Sequence, residues 1–219
     1  MRNTCWNCKE SSSSKVHGPM HRSGIFCAVL LVLAACATVR EPPVPSLPDS
    51  VRQQAWETHH AYLVKLQTWG LKGRVAGKSD DEGFQAGVRW EQRPQTFSID
   101  LHGPLGGKTA AISGMAGKVE IQTSRGEHYL AKDPETLMRE LFGYALPVTG
   151  LRYWVRGVPD PDQEVLSLEL DAQGRLRHLS QAGWSIDYNR YHEGSPALPA
   201  LIKISSTGLD AKIIVDRWF

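Results

Sequence analysis

At 219 residues, 41% of them hydrophobic and 22% charged, the chain is long for one average domain and short for two. Its formal charge of +2 comes from the residues before position 36, so no nucleic-acid partner follows from it.

The first nineteen residues are polar and serine-rich, longer than a signal n-region requires. Starting at Met20 leaves Met20-His21-Arg22-Ser23-Gly24, a compact basic n-region, so the true translation start is expected there. Cys5-Trp6-Asn7-Cys8 has redox or half-zinc spacing, but no second pair answers it and no βαβ pattern surrounds it. Phe26-Cys27-Ala28-Val29-Leu30-Leu31-Val32-Leu33-Ala34-Ala35 is apolar but too short to cross a bilayer, which takes about 20 residues. Leu33-Ala34-Ala35-Cys36 resembles the bacterial lipobox, in which the cysteine is acylated and becomes the new N-terminus. The other reading is an ordinary signal peptide whose end happens to contain cysteine. The lipobox reading makes residues 1–35 a signal peptide and Cys36 the lipid anchor of an exported protein.

Processing also moves the charge. Of 25 Lys and Arg, Arg2, Lys9, Lys15 and Arg22 precede Cys36, and of 23 Asp and Glu only Glu10 does, which leaves 21 basic against 22 acidic residues. No cysteine lies beyond Cys36, so stability there must come from packing. Pro42, Pro43, Pro45 and Pro48 forbid helix across 36–48 and make it an extended tether. Ala37, rather than Asp, follows the lipobox cysteine, and by resemblance to enteric-type sorting this implies an outer-membrane address.

The folded domain is expected over 49–219. Asp49 or Ser50 can cap a helix running to about residue 67, with Val51, Ala55, Tyr62 and Leu66 on one side and His59 and Leu63 nearby. The period then changes to two. Phe84, Ala86, Val88 and Trp90 alternate with polar or small residues, as do Phe97, Ile99 and Leu101. Further strands are predicted over 109–113, 118–123 and 127–131, joined by glycine-bearing turns. Asp133-Pro134-Glu135 opens a helix with Leu137, Leu141 and Phe142 on its buried side, and a second short helix covers 149–156. Strands resume over 165–170, 175–181, 184–190, 201–206 and 211–217, with a hairpin turn at Asp171-Ala172-Gln173-Gly174. The predicted class is mainly β: an open or closed antiparallel barrel of about ten or eleven strands, with a leading helix and a helical insertion over one mouth.

Chemistry is scarce. Gly103-Pro104-Leu105-Gly106-Gly107-Lys108-Thr109 ends like a phosphate-binding loop, but His102 stands where the motif needs its first glycine, and a strand rather than a helix follows. No Gly-x-Ser-x-Gly elbow and no His-Glu-x-x-His spacing occurs, so no enzyme, metal or cofactor is expected. Six tryptophans beyond the tether (Trp56, Trp69, Trp90, Trp154, Trp184 and Trp218) either pack a core or line an apolar cavity beneath the helices. Leu105 stands alone at the tip of a loop built from Pro104 and three glycines, where it is either an ordinary exposed leucine or a side chain that dips into lipid.

These pieces together resemble the LolB family of outer-membrane lipoprotein receptors. They are the lipobox, Phe97-Ser98-Ile99-Asp100-Leu101 before Gly103-Pro104-Leu105-Gly106, Leu151-Arg152-Tyr153-Trp154-Val155-Arg156-Gly157-Val158-Pro159, Pro196-Ala197-Leu198-Pro199, and Val215-Asp216-Arg217-Trp218. The resemblance implies an unclosed antiparallel barrel whose helical lid covers a hydrophobic cavity. It implies a monomer that faces the periplasm, accepts triacylated lipoproteins from the carrier LolA, and inserts them into the inner leaflet of the outer membrane without a cofactor. The family's membrane-contact leucine falls on Leu105 and the tryptophan of its second inserted helix on Trp154; Trp90, Ile99, Leu141 and Trp154 are the candidates for lining the cavity. Gly107, in place of a polar residue, departs from the family pattern. A non-catalytic scaffold, or a lipid- or peptidoglycan-binding lipoprotein of the outer membrane, is the alternative.

Overall fold

The computed structural model describes residues 47–79, 82–115, 117–142 and 147–219; for Leu141 and Phe142 it describes the backbone alone. The signal segment, Cys36 and most of the tether lie outside the described residues. Eleven strands form one antiparallel sheet: β1 (Trp69–Ser79), β2 (Glu82–Gln92), β3 (Thr96–His102), β4 (Lys108–Met115), β5 (Lys118–Thr123), β6 (His128–Ala131), β7 (Val165–Leu170), β8 (Leu176–Gln181), β9 (Trp184–Tyr191), β10 (Pro199–Ser206) and β11 (Leu209–Trp218). α1 (Asp49–Lys65) precedes them, and α2 (Pro134–Phe142) and α3 (Val148–Trp154) lie between β6 and β7.

The strand order, β6-β5-β4-β3-β2-β1-β11-β10-β9-β8-β7, is two meanders joined where the first strand pairs with the last. No pairing links β6 to β7, so the barrel is unclosed, as expected. Strands adjacent in sequence thus lie at opposite edges, and the chain between them, carrying α2 and α3, must cross from one edge to the other. The insertion is a lid by topology.

Register lines up the apolar residues. Leu71, Trp90, Ile99, Ile112, Ile121 and Tyr129 are partners in turn across β1 to β6, one inward row spanning six strands. On the other half, Ala211, Ile204, Ile186, Leu179 and Leu168 form a matching row. A one-residue slip would turn either row to solvent, so burial enforces the register.

Sequence periodicity does not predict β1, whose inward positions 73 and 77 are glycines. A Cβ on Gly73 would lie 2.1 Å from the Ile214 carbonyl oxygen, and one on Gly77 would lie 2.4 Å from the Phe84 ring. Close approach therefore excludes the side chains that would have marked the strand, and the β1–β11 register shifts at Lys72/Gly73.

The leading helix also differs from expectation. Pro48 occupies the N-cap position without a side-chain bond, and Asp49, already inside the first turn, pairs instead with Arg52 at 2.7 Å. The buried stripe runs through Trp56 and Leu63, flanked by half-buried Arg52, Ala55, His59 and Leu66, while Val51 and Tyr62 are exposed. The stripe faces the β7–β8 hairpin. A Cβ on Gly174, at φ +78°, would lie 2.5 Å from the Arg52 carbonyl oxygen. At α2, Asp133 caps the helix by accepting the Thr136 N–H at 2.8 Å, and hydrogen bonds from the Thr136 side chain, then from its N–H, hold the carboxyl below the usual range.

Candidate functional site: an apolar cavity under the inserted helices

The inward rows and the inserted helices enclose a cavity of about 260 Å³. Leu71, Val88, Trp90, Ile99 and Ile112 line it from the first meander and Ile204 and Ile213 from the second, with Met138 of α2 and Val148 and Leu151 of α3 on the lid side. Apart from the tryptophan indoles, Gln85 is the one polar side chain among the described lining residues. Such a wall favours hydrocarbon and offers nothing to a charge. A larger recess of about 730 Å³ lies where Lys72, Arg74 and Arg89 project from β1 and β2, and those charges make it a poor place for acyl chains.

Of the four candidates for the lining, Trp90 and Ile99 stand in the cavity wall, 5% and 7% exposed. Leu141 is carried by α2, but its side chain lies outside the described residues. Trp154 is not among the lining residues. It is one ring removed, its centroid 6.3 Å from that of Trp184, which does line the cavity. Its role is attachment. The indole N–H donates to Gln181 Oε1 at 2.8 Å, and its own carbonyl accepts the Tyr188 hydroxyl at 2.8 Å. Gln181 is fully buried; Oε1 also accepts the Asp160 N–H, and Nε2 donates to the Asp160 and Gln163 carbonyls. Every polar valence there is used, which pins α3 to the second meander.

Arg156, just beyond α3, is the residue that sequence reasoning missed. Nη1 donates to the Leu63 and Leu66 carbonyls at 2.8 and 2.7 Å, and Nε donates to the Arg152 carbonyl at 2.9 Å. A buried guanidinium thus satisfies the last carbonyls of α1, where the helix dipole favours a cation. Burial pulls its pKa below the usual arginine value, yet arginine keeps its charge in proteins. One side chain fastens the leading helix to the lid.

The β3–β4 loop closes on itself: the Gly103 N–H donates to the Gly107 carbonyl at 2.8 Å, and the Gly106 N–H donates to the Gly103 carbonyl at 2.9 Å. Gly106 takes φ +83°, and Leu105 projects from the turn with a relative exposure of 101%. The side chain adds nothing to the core.

The sequence profile described as "Outer membrane lipoprotein LolB" matches residues 67–218. The chain belongs to the LolB family. An outer-membrane lipoprotein LolB from Alkalilimnicola ehrlichii is 37% identical over 204 residues, covering 91% of this chain and 98% of that protein. Those of Pseudomonas aeruginosa and Nitrosococcus oceani are each 34% identical, over 89% and 90% of this chain and 94% and 96% of theirs. A solved Vibrio parahaemolyticus domain, given as a candidate outer membrane lipoprotein-sorting protein, shares the fold at 8% identity. Its TM-score is 0.53, over 76% of this chain and 91% of that one. Family membership gives this chain an outer-membrane location.

Proposed function

We propose that this protein accepts triacylated lipoproteins from the periplasmic carrier LolA into its apolar cavity and passes them into the inner leaflet of the outer membrane. It does so as a monomer facing the periplasm, held by a lipid on Cys36. The cavity wall carries this reading. Each methylene taken from water is worth about 0.8 kcal/mol, so acyl chains do not leave a carrier through solvent, and an acceptor must offer an equally apolar enclosure by direct contact. Transfer then needs no nucleotide, only an acceptor cavity that binds better than the donor's and a membrane that binds better still.

The volume bears on how the cavity works. About 260 Å³ is below the roughly 300–1,000 Å³ of pockets that bury one drug-sized ligand, and three acyl chains exceed such a ligand. The lid must part. The free edges of β6 and β7 let the sheet spread without losing a ladder hydrogen bond. Leu105, held out on its loop of Pro104 and three glycines, is the contact with the acceptor membrane.

The test is uptake of an uncharged hydrophobic fluorophore by the folded protein, followed by its displacement with a triacylated lipopeptide. A scaffold with a closed core takes up neither. Mass spectrometry of the mature N-terminal peptide should find lipid on Cys36, and an unmodified peptide there would remove the anchor from the account.

A further inference from the structure

A second recess, of about 540 Å³, adjoins the acyl cavity, and Trp90 and Val148 stand in the walls of both. It lies between the β2–β3 turn, the β4–β5 turn and the starts of α2 and α3. Its character is different. Phe97, Met115 and Val119 supply apolar walls, but Trp90, Arg152 and Lys132 bring hydrogen-bond donors.

Among the described residues, two of these donors lack an acceptor: Trp90 Nε1 and Arg152 Nε are each sealed from solvent, in side chains that line the recess, so a ligand reaches them when the lid parts. Trp90 is 95% buried by its 5% exposure, so its N–H cannot turn to bulk water. Arg152 spends Nη2 on the Tyr153 hydroxyl at 2.8 Å and stacks its guanidinium 4.6 Å from that ring. Among the described residues no carboxylate pairs with Arg152 or Lys132. The nearby Glu135 carboxylate accepts the Thr149 N–H through Oε1 at 2.9 Å. Buried donors left unmade are costly, and an indole N–H can do nothing but donate.

We infer that this recess receives the polar head of the acylated ligand, with Trp90 Nε1 and Arg152 Nε donating to ester or amide carbonyl oxygens while the acyl chains lie in the adjoining cavity. The inference rests on the transport reading above and adds to it. Hydrocarbon alone cannot fix how far a chain slides into an apolar cavity. A carbonyl set at the junction would, and Trp90 stands at that junction. The same donors would tell an acylated lipoprotein or a diacyl lipid from a bare hydrocarbon of equal size.

The test compares two synthetic triacylated cysteinyl peptides with the full-length protein, one with ester-linked glyceryl chains and one with ether-linked chains of equal length. Ethers keep the hydrocarbon and lose the carbonyl acceptors. The wild type should bind the ester form about three- to ten-fold more tightly, the range expected for one or two neutral-acceptor hydrogen bonds. Trp90→Phe and Arg152→Met should each bring that ratio toward one, Arg152→Met guarding against a Trp90→Phe protein that misfolds. Equal ester and ether binding by a wild type that takes up the uncharged fluorophore would overturn this inference and spare the transport reading. No fluorophore uptake by the wild type would overturn both. Displacement of the ester peptide by millimolar inorganic phosphate would assign the recess to an anion and overturn the carbonyl assignment.

Discussion

Replacing Arg156 with methionine isolates the bond between the leading helix and the lid. The substitution keeps an unbranched side chain in place and removes three donated hydrogen bonds, to the Leu63, Leu66 and Arg152 carbonyls at 2.8, 2.7 and 2.9 Å. The Leu63 carbonyl keeps the Leu66 N–H at 3.1 Å, whereas the part-buried Leu66 and Arg152 carbonyls lose the guanidinium, at about 1–3 kcal/mol for each one left without a donor. Against this, the mutant no longer buries a charge. The net expectation is a loss of about 3 kcal/mol, which for a domain of this size is about 6–12 °C in Tm. Arg156→Lys keeps the charge but not the planar fork that reaches two carbonyls at once, and should lose roughly half as much. Thermal denaturation followed by circular dichroism reads both. A Tm within about 2 °C of wild type for Arg156→Met would show that α1 is held by Trp56 and Leu63 alone, and would refute the fastening role.

Leu105→Ala should scarcely move Tm, because the side chain is fully exposed, whereas Leu105→Glu should leave folding and ligand uptake intact and slow delivery into vesicles, since a charge is costly in hydrocarbon. One leucine is worth only about 1.5–3 kcal/mol in lipid, enough for a contact and too little for an anchor; unimpaired delivery by Leu105→Glu would make the loop a bystander. Trp154→Phe removes the indole bond to Gln181 and should cost about 2 kcal/mol in chemical denaturation, while fluorophore uptake persists because the ring is not in the cavity wall. Burial, reinforced by the Arg175 charge and opposed by that of Asp171, holds the His59 pKa below its usual value. The unfolded chain then takes the proton first, so stability present above about pH 6.5 falls as pH drops through that value toward the lowered folded pKa. Burial holds the neighbouring His60 below its usual value too, so His59→Gln should reduce that slope, and His59→Gln with His60→Gln should remove it, in denaturation curves measured between about pH 5 and 7; an unchanged slope in the double variant would place its source elsewhere.

Period-two alternation read the sheet well wherever the inward residue had a side chain. β5 and β7 fall on the predicted 118–123 and 165–170, and most other strands begin or end within two residues of their predicted bounds. β1 escaped because Gly73 and Gly77 sit where apolar residues would have signalled a strand, for reasons of backbone approach from β11 and ring approach from Phe84 that no local pattern contains. The face of α1 was misread for a related reason. Its buried side chains include a tryptophan and half-buried histidine and arginine, so burial there follows the hairpin it packs on rather than hydrophobicity alone. Arg156 and Gln181 are polar residues whose partners lie 93 and 21 residues away, a separation that spacing rules do not reach. Trp154 was expected in the cavity wall; it stands one ring behind Trp184 instead, with its indole N–H donating to Gln181.

The most direct measurement is transfer itself. A radiolabelled triacylated lipoprotein bound to LolA is mixed with the full-length protein in vesicles, and the label is followed from carrier to protein to bilayer. The account predicts that label leaves the carrier without nucleotide, co-purifies transiently with this chain, and ends in the membrane; filling the cavity first with a tight-binding lipopeptide should block the first step. Label that stays on the carrier while the cavity takes up the uncharged fluorophore would contradict the account, leaving a lipid-binding lipoprotein that receives nothing from LolA.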